Sequence, residues 1–282
     1  MEYKEGYVAF IDILGFSTYV SNEENANGTY DLFEFVRKFC YLFNTSPQLK
    51  INVSFFSDSI VLTTDELEKL VAPIYIAESY LRDKLGLLFR GGIYYGKYYH
   101  NNGVTFGPAV VAAYKLEGKA NYSRILLDEK IQIPEEKSIV FYRDIDGYLC
   151  LNPMSTILNE PIAYGSEGEV YPEGDINEII NNCFSKQREF LMGQIAKNKG
   201  TPVVDKYLWR VRVFNYTCNL IADIPDGETI YEKINFTANE QLKGLLKKQL
   251  ISAEDIVKCY LFLQKQLSIR NNLRFSILFS LL

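Results

Sequence analysis

The chain has 282 residues, 48% hydrophobic and 23% charged, with a formal net charge of −5. At roughly 100–200 residues per domain, this is one large folded domain or two small ones, and no segment has the composition of a disordered tract. One histidine, His100, excludes His₂ and His₃ metal sites, and the acidic balance argues against broad nucleic-acid or membrane-surface binding.

In chain order, Gly6 to Leu14 is a short apolar run holding one carboxylate, Asp12, and reads as a buried strand. Asn22 to Thr29 is polar and reads as a turn region. From Tyr30 to Phe43, Leu32, Val36, Phe39, Cys40 and Phe43 recur at helical spacing. Ile51 to Phe56 and Ser59 to Leu62 form a hairpin with Ser57 and Asp58 at its tip. Asp65 to Leu85 is a second helix, with Pro73 as a kink or restart. Gly86 to Tyr95 is strand-like, Asn101 to Gly103 a turn, Gly107 to Glu117 a short helix and Ser123 to Leu127 a strand. The order β-α-β-β-α-β-α-β predicts an α+β fold close to the ferredoxin-like βαββαβ arrangement. Further strands are expected at Ser138 to Tyr142 and Tyr148 to Asn152, around Asp146-Gly147.

Residues 160–175 shift to Gly, Pro, Glu and Tyr, as in a linker. Helical periodicity follows over 176–197, 203–220 and 252–267, the last opened by a Ser252/Asp255 capping signature. The expected division is a domain over 1–152, a linker or surface loop over 153–174 and a helical region over 175–282. Five scattered cysteines without a C-x-x-C pair, together with a charged start lacking a leader-like apolar run, point to reduced thiols in the cytoplasm. The apolar tail 273–282 is too short to span a bilayer.

Three segments carry candidate chemistry. In Phe10-Ile11-Asp12-Ile13-Leu14-Gly15-Phe16-Ser17, an acid inside an apolar strand needs a cation or hydrogen bonds to offset burial. It is either a structural acid or a ligand, and Gly15 allows a sharp turn or close approach to a ligand. In Phe55-Phe56-Ser57-Asp58-Ser59, Asp58 is either a plain turn residue or a partner of Asp12. A central first strand beside the hairpin would bring the two carboxylates together, and such a pair needs a proton or a divalent metal between its charges. Oxygen-only ligation suits Mg²⁺ or Mn²⁺. The third segment runs from Phe89-Arg90-Gly91-Gly92 through Gly107-Pro108 to Ala113-Tyr114-Lys115-Leu116-Glu117-Gly118 and Ser123-Arg124-Ile125.

Across residues 6–128 these segments resemble the catalytic domain of class III nucleotidyl cyclases. Within that group they are most similar to the bacterial pyrimidine cyclases of Pycsar anti-phage systems. The resemblance implies that Asp12 and Asp58 hold two metal ions, Mn²⁺ or Mg²⁺, with the Ile13 carbonyl. It implies that Gly15, Phe16 and Ser17 cradle a triphosphate and that Arg90 and Arg124 contact phosphates from the two subunits of a homodimer with composite active sites. The chain departs from adenylyl cyclases at Val111 and Lys115, where that group has Asn and Arg. It departs again at Ser54 and Val104, where the purine-reading Lys and Asp would stand. Lys115 supplies charge, Val111 cannot hydrogen-bond a ribose, and a pyrimidine is permitted. Tyr114 is either a base- or ribose-stacking ring or a core residue.

The implied reaction is attack of the ribose 3′-hydroxyl on the α-phosphate of UTP, or CTP, with pyrophosphate leaving. The cyclic product would be read by a separate cyclic-nucleotide-binding effector. The rival expectation is a catalytically degenerate cyclase-like module that binds nucleotide or dimerises. Gly91 to Lys97 formally matches a phosphate loop, but Tyr98 replaces Ser or Thr and the segment reads as strand. Leu14 stands where a haloacid dehalogenase needs a second Asp. His100 reads as a solvated turn residue, Tyr94, Tyr95, Tyr98 and Tyr99 as sheet or interface packing, and Trp209 as core or interface.

Overall fold

The computed structural model describes residues 2–133, 141–144, 146–151, 176–211 and 214. The chain divides into two compact units, Met1–Gln132 and a second beginning at Ile133.

The first unit is an α+β sandwich. Its strands are β1 (Lys4–Leu14), β2 (Ile51–Phe56), β3 (Ser59–Thr64), β4 (Leu88–Asn101), β5 (Val104–Phe106) and β6 (Ile125–Leu127). The helices are α1 (Phe16–Ser21), α2 (Ala26–Asn44), α3 (Val71–Leu85) and α4 (Pro108–Glu117). The sheet order is β2-β3-β1-β4-β6, with β5 hairpinned onto β4. The first strand is central, as expected, antiparallel to β3 on one side and β4 on the other. β6 runs parallel to β4, with Gly91 opposite Ile125.

Alternation along β1 sorts the two faces. Ala9, Ile11 and Ile13 are buried, and Ala9 and Ile11 pair laterally with Leu62 and Ile60 of β3, on the face covered by α2 and α3. Phe35 of α2 stacks on Tyr80 of α3 at 4.0 Å, and the Tyr80 hydroxyl donates to the Asp31 carbonyl. The opposite face carries Val8, Phe10 and Asp12. Here Val8 and Tyr98 pack against Ala109 and Ala113 of α4, with Phe10, Val61 and Tyr94 around them. A Cβ on Gly92 would lie 2.5 Å from the Ala113 carbonyl oxygen and 2.7 Å from the Glu117 nitrogen, so this glycine is what lets α4 lie close on the sheet.

Several boundaries differ from the sequence expectation. Residues 22–29 are not a loop: Asn22 Oδ1 accepts from the Glu24 amide, a 3₁₀ turn follows, and α2 begins at Ala26. Short polar side chains that bond the local backbone disguise a helix entry as a turn. The region 65–70 holds a 3₁₀ turn, and Pro73 sits in the first turn of α3, where its missing N–H costs nothing, so no kink arises. β5 was not anticipated. It follows Asn102 and Gly103, at φ 48° and 78°, the left-handed pair that a tight hairpin turn requires.

In the second unit, β7 (Phe141–Arg143) and β8 (Leu149–Leu151) form the expected antiparallel pair, with Gly147 at φ 90° in their turn. The helix α5 (Ile176–Lys197) follows the expected span, and Trp209 is buried at 1% exposure. The 153–174 linker, residues 212, 213 and 215–220 of the expected 203–220 helix and all of 252–267 lie outside the described residues. Among the described residues no helix is long and apolar enough to cross a membrane.

Candidate active site

Asp12 lies two residues from the end of β1, flanked by Ser59 of β3 and Arg90 of β4. Asp58 occupies the two-residue β2–β3 turn, where Ser57 takes a left-handed φ of 55°. The Ile13 amide donates to the Asp58 carbonyl at 2.8 Å, which ties the hairpin tip to β1 beside Asp12. Both aspartates therefore belong to one end of adjacent strands. The sequence expectation that a central first strand brings them to one place agrees with this geometry.

Arg90 faces the same end. Its Nε donates to Asp12 Oδ2 at 3.3 Å and lies 2.5 Å from Glu117 Oε1, the last residue of α4. The contact with Glu117 is an ion pair without the alignment of a hydrogen bond. Glu117 is buried, at 3% exposure. Burial lifts its carboxyl above the ordinary glutamate value, the Arg90 charge opposes that rise, and Asp12 and then Asp58 add to it. Asp12, Asp58, Arg90 and Glu117 thus share one electrostatic environment. Glu117 carries no signal of its own in the sequence, because an acid at a helix end ordinarily reads as solvated.

Gly15 adopts φ 81° at the start of α1, its carbonyl accepts the Tyr19 amide, and Phe16 and Ser17 form the first turn of that helix. Ser54 is tied to the β4–β5 hairpin: its Oγ donates to the Gly103 carbonyl at 2.9 Å and pairs with Thr105 Oγ1 at 2.7 Å. Thr105, rather than the exposed Val104, is thus the β5 residue that meets Ser54. His100 Nδ1 pairs with the same Thr105 hydroxyl at 2.7 Å. That corrects the expectation of a solvated turn histidine, since β4 continues through His100 to Asn101.

Burial, and then Lys4, hold the His100 pKa below 6.5. The unfolded chain therefore binds this proton more readily than the folded chain, and stability falls as pH drops through 6.5. Thermal melts between about pH 7.5 and about pH 5.5 are expected to fall less steeply for His100→Gln than for the parent chain.

On α4, Val111, Tyr114 and Lys115 form an exposed stripe opposite the buried Ala109, Ala113 and Leu116. Tyr114 is 58% exposed, with its ring edge-on to Phe10 at 5.3 Å, which removes the core-tyrosine alternative. Arg124 is placed differently from a solvent-facing phosphate contact. It is buried at 3% exposure, its Nε donates to the Ala120 carbonyl, and its guanidinium lies 5.6 Å from the centre of the Tyr122 ring. Its carbonyl accepts the Gly91 amide, so Arg124 braces the turn that leads into β6.

Asp12 and Asp58 carry oxygen donors of the kind a hard divalent cation takes. Among the described residues no cluster of three or more His, Cys, Asp or Glu side chains could hold a metal. Two carboxylates and a neighbouring backbone carbonyl leave several coordination positions open, as Mg²⁺ and Mn²⁺ sites that also take phosphate oxygens do.

No protein-family model matches the chain. No curated protein matches it either. Among solved structures it is similar to the adenylyl cyclase CyaB from P. aeruginosa, at 19% identity over 46% of this chain and 80% of that one, TM-score 0.35. It is also similar to a bacterial light-regulated adenylyl cyclase, at 16% identity over 66% of this chain and 58% of that one, TM-score 0.36. A third likeness is to the guanylyl cyclase Cya2, at 16% identity over 53% of this chain and 91% of that one, TM-score 0.30.

Proposed function

We propose that the chain is a metal-dependent nucleotidyl cyclase that converts a pyrimidine nucleoside triphosphate, UTP in preference to CTP, to its 3′,5′-cyclic monophosphate and pyrophosphate. The observation that carries this reading is the placement of Asp12 and Asp58 at one end of adjacent strands, with Arg90 against Asp12. Asp12, Asp58 and the Ile13 carbonyl would hold Mn²⁺ or Mg²⁺, two ions per site. When bound there, such ions lower the pKa of an attacking hydroxyl and stabilise charge on phosphate oxygens.

The protein's own groups do the rest. Arg90 offers its terminal guanidinium nitrogens to the phosphates whose charge grows as pyrophosphate leaves. The reaction joins two parts of one nucleotide, so holding the ribose against the α-phosphate removes much of the barrier. Lys115 and Tyr114, exposed on α4, supply a cation and a stacking ring on a surface open to a second copy, which supports a homodimer with composite sites. Ser54 and Thr105 present hydroxyls, with neither the lysine nor the aspartate that a purine reader would use. The resemblance over residues 6–128 supports a signal in anti-phage immunity, read by a separate cyclic-nucleotide-binding effector, and a cytoplasmic setting.

Val111, exposed and unable to hydrogen-bond a ribose, favours one alternative: a module that binds nucleotide or dimerises without turnover. Thermal melts and product analysis with each nucleoside triphosphate and Mn²⁺ separate the two. The cyclase reading expects stabilisation and a cyclic product with a pyrimidine substrate. Stabilisation without any product establishes the alternative.

A further inference from the structure

We propose that Glu117 is a positioning residue of this site: it draws the Arg90 guanidinium away from Asp12 and so keeps that carboxylate available to a divalent cation. The inference rests on the reading of Asp12 and Asp58 as cation ligands.

Arg90 Nε has two acids within ion-pair distance, Asp12 Oδ2 at 3.3 Å and Glu117 Oε1 at 2.5 Å. The shorter contact is to the residue that is buried, and the longer to the one that is partly exposed at the strand end. A guanidinium paired fully with Asp12 would cancel the charge a cation needs and occupy its oxygens. Glu117 brings a second carboxylate to the same nitrogen, as an ion pair rather than as a hydrogen bond.

A plain structural role explains the arrangement poorly. Buried ion pairs contribute little net stability, because desolvation offsets the Coulomb attraction. The carboxylate is nevertheless brought inside by specific means. Gly92 has no side chain, and this lets the last turn of α4 close on β4. Ala113 and Leu116 bury the same flank of the helix, so the Glu117 side chain turns to the sheet face that carries Asp12 and Arg90.

The test is a double-mutant cycle on Mn²⁺ binding by the full chain, followed by the electron paramagnetic resonance signal of free Mn²⁺, with thermal melts of each variant. Glu117→Gln is expected to weaken Mn²⁺ binding about tenfold, in the range typical for groups that orient metal ligands. In an Arg90→Gln background the same substitution is expected to cost less than about threefold, because no guanidinium remains to fall back on Asp12. An unchanged affinity for Glu117→Gln overturns the proposal. So does an equal loss in both backgrounds, which would mean that the carboxylate acts only through its own field. Should Glu117→Gln fail to melt cooperatively, Glu117→Asp completes the cycle, since its shorter side chain withdraws the carboxylate from Nε. Mn²⁺ binding with this coupling but no cyclic product overturns the cyclase reading and leaves the role of Glu117 standing. A cyclase indifferent to Glu117 does the reverse.

Discussion

Asp58→Ala is expected to abolish nucleotide cyclisation while leaving the fold intact. On the proposed reading, losing one of two carboxylate ligands removes several kcal/mol of transition-state stabilisation, and about 4 kcal/mol corresponds to about a thousandfold in rate. The fold should tolerate the change because the turn is held through its backbone. The Ile13 amide bonds the Asp58 carbonyl, and the left-handed residue is Ser57, so both features survive truncation of the side chain. Steady-state turnover together with thermal melts checks this. A fall in rate accompanied by an equally large loss of stability would assign Asp58 to the fold rather than to the chemistry.

Gly92→Ala is expected to have the largest effect on stability. Its Cβ would come within 2.5 Å of the Ala113 carbonyl oxygen, 2.7 Å of the Glu117 nitrogen and 2.8 Å of Leu116 Cβ. Two of these are backbone atoms, so relief requires α4 to move off the sheet, at about 1–3 kcal/mol for overpacking of this kind. The displaced turn carries Glu117 away from Arg90, so turnover should fall as well. Urea denaturation reads the stability change, and an unchanged midpoint would show that α4 is not seated as closely as the geometry states.

The first strand, the β2–β3 hairpin and the placement of Asp12 and Asp58 at one end of adjacent strands were legible in the sequence for one physical reason. Each depends on local patterning: an apolar run with a single acid, two strand-like runs and a two-residue turn. What escaped notice depends on distant neighbours. Glu117 is an ordinary acid at the end of a helix until Gly92, 25 residues earlier, lets the helix close on the sheet. Thr105 became the partner of Ser54 only through the β4–β5 hairpin, while Val104 is exposed. Arg124 could be read as basic but not as buried, because its burial follows from the turn between Ala120 and Tyr122. The entry to α2 was missed because Asn22 and Asn25 bond the local backbone in the manner of turn residues.

The most direct test of the central claim is product stoichiometry. The purified chain is incubated with Mn²⁺ and UTP or CTP, and the nucleotide products and pyrophosphate are quantified by mass spectrometry and phosphorus NMR. The predicted result is a 3′,5′-cyclic pyrimidine monophosphate and pyrophosphate in equal amounts, absent with Asp58→Ala. Release of inorganic phosphate with a nucleoside diphosphate, or no conversion of any nucleoside triphosphate, would contradict it.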